Sequence, residues 1–285
     1  MKVLFYTTET NDCHNHVAAW NSFSNSDHIT YSNLGIRNDW KLVEAARDYD
    51  VVFYIGANEG VGTPKPATFI EARKHAKLIN ICSDAADKPW EKTLLVYRDM
   101  GCFDLQVSID GAIGAPVDFV TLTPVAPMYR SVEKDIRCGF SGTVGRWNWR
   151  SEIINALEVF GGLTVRRREG GDGNTSHVEF MQRCKMLLNT SKTGSGQRDH
   201  IKGRVLEAGF AKCCLLEQKS SPIDKWFPDD CYILYDGMKE AADIIQSLDE
   251  DTINKVSARL NEEVQNYTAK KIYGDILSHV DITIA

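Results

Sequence analysis

The sequence predicts an α/β protein built from two Rossmann-like domains with a cleft between them. Three observations lead to this fold class. The chain has 285 residues, short apolar runs alternate with helix-like stretches, and that alternation is interrupted near the middle. A chain of this length suits two domains of roughly 130 residues each. Apolar runs that alternate with helices are typical of parallel sheets covered on both faces.

The N-terminal third contains the first set of alternating elements. The apolar runs expected to form strands are residues 2–7, 50–55, 78–82, 94–97 and 105–109. Helical spacing of apolar residues predicts helices over residues 39–49 and 66–77. Because ligands of such sheets bind at the carboxyl ends of the strands, segments 8–15, 58–62 and 83–87 are expected on the rim of the cleft.

A proline-bearing segment, residues 121–129, suits an interdomain linker, and the alternation starts again after it. We therefore predict an N-terminal domain over residues 1–125, a C-terminal domain over residues 130–262, and a last helical segment over residues 263–285. In the second half, strands are expected at residues 136–140, 163–167, 186–189, 213–217 and 230–234. Helices are expected at residues 149–160, 178–184, 201–211, 241–248 and 251–273.

Charge and cysteine usage limit the function classes. A formal net charge of -6 argues against a surface for duplex nucleic acid, which needs a concentrated excess of basic side chains. No apolar run is long enough for a signal segment or a membrane span. The eight cysteines form no CxxC pair, and we interpret them as reduced thiols of a cytoplasmic protein.

A glycine-bearing loop after the predicted strand at residues 136–140 is the first stretch that indicates chemistry. Gly142 and Gly145 allow a ligand to approach the backbone closely, and Thr143 lies between them. The next helix N-terminus offers unpaired N–H groups, to which Arg146 adds positive charge. This glycine spacing matches neither the dinucleotide fingerprint nor the Walker A motif. A tight strand-to-helix turn explains it equally well.

The second stretch is the predicted helix at residues 201–211, which carries Lys202, Arg204 and Glu207 among apolar residues. Side chains about one turn apart share a helix face, so cations and carboxylate are expected on one side. The cations suit a diphosphate, and the carboxylate suits the diol of a ribose. The alternative is a surface helix with an ion pair between Arg204 and Glu207. The apolar neighbours favour a buried helix, in which charges need partners.

The motif Lys-x-Arg-Val-x-Glu-Ala-Gly-x-Ala at residues 202–211, followed by segments 222–227 and 232–236, resembles the C-terminal half of GT-B glycosyltransferases. It is most similar to the group-1-like branch that includes spore-coat CgeB-type proteins. Those proteins also carry a Phe-Ser-Gly-Thr-like strand and loop, which residues 140–143 match. The resemblance has motif content over about residues 135–250 and is architectural in the first 120 residues.

This resemblance implies a glycosyltransferase that moves a hexosyl group from a nucleotide-diphosphate sugar, its co-substrate, to a carbohydrate or other small acceptor. It implies that Glu207 holds the donor ribose and that Lys202 and Arg204 face the diphosphate. Asp199 and Glu207 have the spacing of a Glu-x7-Glu motif with Asp in the first place, which puts Asp199 near the transferred sugar. GT-B enzymes generally work without a bound metal, so none is expected. The last segment, residues 263–285, is expected to return to the N-terminal acceptor domain.

The catalytic base is expected on the N-terminal rim. Asp84 follows the predicted strand at residues 78–82 directly and is the first choice. Glu59 and the pair His14 and His16 come next. Each has a structural alternative, because Asp84 can cap the following helix and the histidines can lie in an exposed loop.

Three other functions fit the same sequence. One is a non-catalytic protein of this fold that binds a nucleotide sugar or a partner protein. The second is a nucleotide-sugar epimerase, which needs no acceptor. The third is a glycosyltransferase acting on modified DNA bases. The acidic balance weighs against DNA, although net charge does not report a local basic face.

Overall fold

The computed structural model describes residues 1–8, 11–35, 37–56, 61–144, 148–167, 174–192, 196 and 198–284, without the side chains of residues 11–14, 148 and 174. The chain divides into two compact units. The first unit comprises Met1–Ala126 and Ala269–Ala285, and the second comprises Pro127–Thr268. The chain first passes from one unit to the other within the segment predicted as a linker, residues 121–129.

The first unit contains one sheet in which all neighbouring strands run parallel. The strands are β1 (Val3–Thr8), β2 (Asp27–Tyr31), β3 (Val51–Ile55), β4 (Lys77–Cys82), β5 (Leu105–Ser108) and β6 (Phe119–Val120), in the order β2-β1-β3-β4-β5-β6. The helices that alternate with them are α1 (Asn11–Asn21), α2 (Asp39–Ala46), α3 (Pro66–Ala72) and α4 (Lys88–Asp99). Strands β1 and β3 are buried along their whole length, as expected for a parallel sheet covered on both faces.

One predicted strand in this unit was wrong. Residues 94–97 were expected to form a strand, but they lie in α4, where Leu94 and Tyr97 are buried three residues apart on one helix face. Segment 8–15, expected on the rim of the cleft, contains the beginning of α1 at Asn11. Strand β2 was not predicted, because it lies at the edge of the sheet and its polar residues interrupt the apolar pattern.

The second unit is built on a second parallel sheet. Its strands are β7 (Ile136–Gly142), β8 (Thr164–Arg167), β9 (Cys184–Leu188), β10 (Cys214–Gln218) and β11 (Ile233–Tyr235), in the order β11-β10-β9-β7-β8. The helices are α5 (Asn148–Phe160), α6 (Asn174–Gln182), α7 (Arg204–Phe210), α8 (Gly237–Ser247) and α9 (Glu250–Val264). Because these strands are parallel, their carboxyl ends lie along one side, called here the carboxyl edge of the second sheet. None of the described helices is long and apolar enough to cross a membrane.

Helix boundaries in the second half differ from the predicted ones. The helix predicted over residues 178–184 lies at Asn174–Gln182, and Cys184 begins β9. Helix α7 begins at Arg204, with Gly203 as its N-cap, so Lys202 precedes the helix instead of lying on it. The helix predicted over residues 251–273 is divided into α9, a 3₁₀ turn at Gln265–Tyr267, and α10 (Ala269–Ser278).

Helix α10 belongs to the first unit and supplies part of its aromatic core. The ring of Tyr273 is fully buried and lies 5.2 Å from that of Trp20 and 5.4 Å from that of Phe53, measured between ring centres. Its hydroxyl lies 3.1 Å from Nδ1 of His16. His16 is therefore buried within α1, so the alternative of an exposed loop does not apply to it.

Candidate functional site

Polar side chains gather at the carboxyl edge of the second sheet, although the strands themselves are apolar. Ser141 lies near the end of β7, Asn189 follows β9 directly, and Glu217 lies near the end of β10. All three are fully buried. Burying a polar group costs free energy unless it is hydrogen-bonded, so the partners of these side chains define what the edge can do.

Arg204, the first residue of α7, supplies a cation to this edge. Its Nη1 donates a hydrogen bond to Oδ1 of Asn189 at 2.9 Å, and its Nη2 donates to the carbonyl oxygen of Ser141 at 2.6 Å. The guanidinium carbon lies 4.7 Å from the ring centre of Phe140, which adds a cation–π attraction. In the described part of the chain, Nε of Arg204 is buried and has no hydrogen-bond partner.

Gly142 makes room for this guanidinium. A Cβ atom added there would lie 2.8 Å from Nη2 of Arg204, closer than side-chain carbons come to other groups. Thr143 follows, and its carbonyl oxygen accepts a hydrogen bond from Nη1 of Arg150 at 3.4 Å. Arg146, predicted as a second cation for this loop, lies outside the described residues.

Glu217 is a carboxyl group without solvent exposure. Its Oε2 accepts a hydrogen bond from Nδ2 of Asn189 at 2.6 Å, and its Oε1 accepts one from the backbone N–H of Gln218 at 3.0 Å. Burial raises the pKa of Glu217 to about 7, although these hydrogen bonds and the charges of Lys202 and Arg204 act to lower it. The carboxyl group therefore changes its charge near neutral pH.

Asn189 connects this carboxyl group to the guanidinium. A guanidinium only donates hydrogen bonds, so the amide oxygen of Asn189 faces Arg204 and its NH₂ group faces Glu217. The backbone of Asn189 is held on both sides. Its N–H donates to the carbonyl oxygen of Leu216 at 2.8 Å, and its carbonyl oxygen accepts from the hydroxyl of Tyr235 at 2.6 Å. Strands β10 and β11 thus hold the backbone that carries the side chain joining the two charges.

Glu207, one turn after Arg204, faces His177 of α6. The Nε2 atom of His177 lies 3.2 and 3.3 Å from the two carboxylate oxygens of Glu207. The Nδ1 atom of the same ring lies 2.7 Å from Oγ of Ser141, which also accepts from Nη1 of Arg166 at 3.3 Å. The side chain of Glu207 is 19% exposed, so this oriented carboxylate can still meet the hydroxyl groups of a ligand.

Asp199 and Lys202 lie in the segment before α7. The Oδ1 atom of Asp199 accepts hydrogen bonds from the hydroxyls of Ser191 at 2.8 Å and Ser220 at 3.0 Å. The Nζ atom of Lys202 lies 5.7 Å from the ring centre of Trp149 in α5. Lys202 therefore lies within cation–π distance of an aromatic ring.

The residues predicted for acid/base chemistry in the first unit are placed as follows. Asp84 is exposed in the turn between β4 and α4, and its carbonyl oxygen accepts from the N–H of Asp87 at 2.9 Å. The N-cap position of α4 is held by Asp87 and not by Asp84. The side chain of Asp87 makes no capping hydrogen bond. Glu59 and the side chain of His14 lie outside the described residues.

Sequence reasoning missed Asn189, Glu217 and His177. A signal existed for the first two, because each is a polar residue at the carboxyl end of an apolar run. His177 had no such signal, since its contact depends on α6 lying beside α7.

A protein-family model described as glycosyl transferase-like matches residues 125–278, which is more than half of the chain. No curated protein sequence matches the chain.

Solved structures match nearly the whole chain. HepE from Anabaena in complex with UDP-glucose has a TM-score of 0.66 and 13% identity, and the match covers 99% of each chain. BGT of T4 phage in complex with UDP-glucose has a TM-score of 0.59 and 12% identity, with 99% of this chain and 100% of that chain covered. An alpha-glucosyltransferase in complex with UDP-glucose and DNA containing an abasic site has a TM-score of 0.60 and 11% identity, with 98% and 99% covered. These matches confirm the predicted GT-B fold of two α/β units.

We predict that Glu217→Gln changes how stability depends on pH. The pKa of Glu217 is raised from its ordinary value of 4.5 to about 7. The folded protein therefore binds the proton more tightly than the unfolded chain does. Folding becomes less favourable as the pH rises from about 4.5 to about 7, and the effect then levels off. The full shift corresponds to about 3 kcal/mol.

The glutamine variant lacks this dependence. Its Tm relative to the parent protein should therefore be higher at about pH 8 than at about pH 5. Thermal unfolding at both pH values measures the difference, and a Tm difference that is the same at both would contradict the prediction.

Proposed function

We propose that this chain, which belongs to the glycosyl transferase-like family, transfers a sugar from a nucleotide-diphosphate sugar to an acceptor. The donor binds at the carboxyl edge of the second sheet. One observation carries the proposal: the edge holds a guanidinium and, one helical turn away, a partly exposed carboxylate oriented by a histidine. A guanidinium suits a diphosphate and a carboxylate suits the diol of the adjacent ribose, so one ligand can use both groups.

Arg204 and Lys202 bind the diphosphate in this proposal. A guanidinium has five N–H donors, and the hydrogen bonds to Asn189 and Ser141 leave others for phosphate oxygens. Glu207 accepts hydrogen bonds from the ribose hydroxyls, and Asp199 faces the transferred hexosyl group. When the bond to the sugar breaks, positive charge already in place takes up the charge of the leaving diphosphate. No bound metal or other cofactor is invoked.

The proposed donor is a UDP-sugar, with UDP-glucose as the first compound to test. Its support is that HepE and BGT, which share the fold, were each solved with UDP-glucose. The motif at residues 202–211 also supports a finer assignment to the CgeB-type, group-1-like branch. Asp84 and Glu59 remain the predicted acid/base residues, and a cytoplasmic location remains a prediction.

A nucleotide panel tests the function. UDP and UDP-glucose should raise the Tm of the protein in the presence of a chelator, because a ligand that binds only the folded state stabilises it. GDP, ADP, dTDP and CMP at the same concentration should raise the Tm less. A well-folded protein whose Tm responds to none of these compounds contradicts the proposal and favours a non-catalytic, partner-binding protein.

We predict that Arg204→Ala and Glu207→Ala each weaken UDP-glucose binding at least tenfold, about 1.4 kcal/mol. Each removes a group assigned to one part of the donor. Isothermal titration calorimetry measures the affinities. Arg183→Ala is the matched control, because Arg183 precedes the amino end of β9 and pairs with Asp135 on the surface. If both variants bind as tightly as the parent protein, the donor site lies elsewhere.

A second acceptor class is a modified DNA base that carries a hydroxyl group. Its support is the alpha-glucosyltransferase of the same fold that was solved with UDP-glucose and DNA, while the net charge of -6 weighs against it. Labelled UDP-glucose, incubated with duplex DNA bearing hydroxyl-modified bases and separately with small saccharides, distinguishes the two. Label in the DNA alone establishes a DNA-modifying enzyme, and label in saccharides alone excludes it.

A further inference from the structure

The buried carboxyl group of Glu217 has no part in the function proposed so far. Apolar residues of similar size usually fill a core at lower free-energy cost than a buried charged network does. Glu217 has no exposed surface, so it does not reach a ligand itself. Its hydrogen bonds lead toward the proposed donor site through one side chain, that of Asn189.

The path from Glu217 to Arg204 contains two hydrogen bonds. Glu217 accepts from the Asn189 amide at 2.6 Å, and the oxygen of the same amide accepts from Arg204 at 2.9 Å. The Asn189 side chain is fully buried, its amide makes both hydrogen bonds at once, and its backbone is held by Tyr235 and Leu216. A change at the carboxyl group is therefore transmitted to the guanidinium.

We propose that Glu217 is a positioning residue for the donor site: acting through Asn189, it orients the Arg204 guanidinium and sets how much positive charge that group presents to the donor diphosphate. This inference rests on the proposed function. The ionised carboxylate partly neutralises the guanidinium, so it weakens the attraction for a diphosphate. The protonated acid keeps the hydrogen bond from Asn189 and leaves the guanidinium charge undiminished.

The charged and titratable groups around Glu217 agree with this role. The cations of Lys202 and Arg204 face it, and burial with Glu217 nearby raises the pKa of the Tyr235 hydroxyl, so that group stays neutral. Glu207 lies beyond the guanidinium and is held by His177. Of these groups, Glu217 is the one that is connected to Arg204 through a fixed amide while having no contact with solvent.

Donor binding and proton binding are therefore coupled. A diphosphate placed beside Arg204 disfavours the ionised carboxylate, so the donor and the proton promote each other's binding. UDP-glucose is the suitable probe, because its diphosphate stays fully ionised from about pH 5.5 to about pH 8.5. Its affinity for the parent protein should fall about tenfold over that range, the change expected for a coupling of one pKa unit.

Calorimetric titration of the parent protein, Glu217→Gln and a control with UDP-glucose at these pH values tests the inference. Glutamine resembles the protonated acid, so Glu217→Gln should bind equally well at both ends of the range, within about twofold. The control is Glu262→Gln, the same chemical change at a residue whose side chain is 76% exposed on α9; its profile should match the parent. Other titratable groups, His177 included, are present in all three proteins, so the difference between profiles reports Glu217.

The outcomes separate the two proposals. If the parent protein binds no UDP-glucose at any pH, the proposed UDP-sugar donor is wrong and the inference about Glu217, which rests on it, is overturned with it. If it binds and Glu217→Gln shows the same pH profile, the function stands and Glu217 is only a structural residue. If Glu217→Gln does not fold, proton uptake on donor binding is measured at pH 7 in the parent protein, using buffers of different ionisation enthalpy. Absence of uptake there overturns the inference.

Discussion

The guanidinium of Arg204 holds together the carboxyl edge of the second sheet. It binds a carbonyl of β7 and, through the Asn189 amide after β9, a carboxyl group of β10. A partly desolvated cation requires acceptors, and parallel strands that end side by side provide them within reach of one side chain. The glycine at position 142 follows from the same constraint, since a methyl group there would collide with the guanidinium.

Two carboxyl groups lie near this cation in different environments. Glu207 is partly exposed and is oriented by His177, so it remains available to a ligand. Glu217 is fully enclosed and bound to an amide, and burial moves its pKa toward neutrality. Groups of one chemical type take separate roles when their surroundings differ in this way. Here Glu207 suits direct contact with a sugar donor, and Glu217 suits adjustment of the positive charge of Arg204.

The core of the first unit is held together by the packing of aromatic rings more than by charged groups. Residues 269–285 belong to this unit. Within it, α10 places the ring of Tyr273 among the aromatic rings of Trp20 and Phe53. The hydroxyl of Tyr273 meets His16 inside that core. His16, a candidate catalytic base in the sequence, thus takes part in the packing of the core. The residue type alone does not distinguish these two roles.

The sequence by itself determined the α/β class, most strands of both sheets and the helix that carries Arg204 and Glu207, because continuous apolar runs and a local motif carry that information. It did not identify β2, whose polar residues lie at a sheet edge, or the helical state of residues 94–97. Only the tertiary structure decided the partners of the charges. His177 and Glu207 are 30 residues apart, and Asn189 and Glu217 are 28 apart. Such pairs form only when separate strands and helices pack side by side, so a local sequence pattern does not predict them.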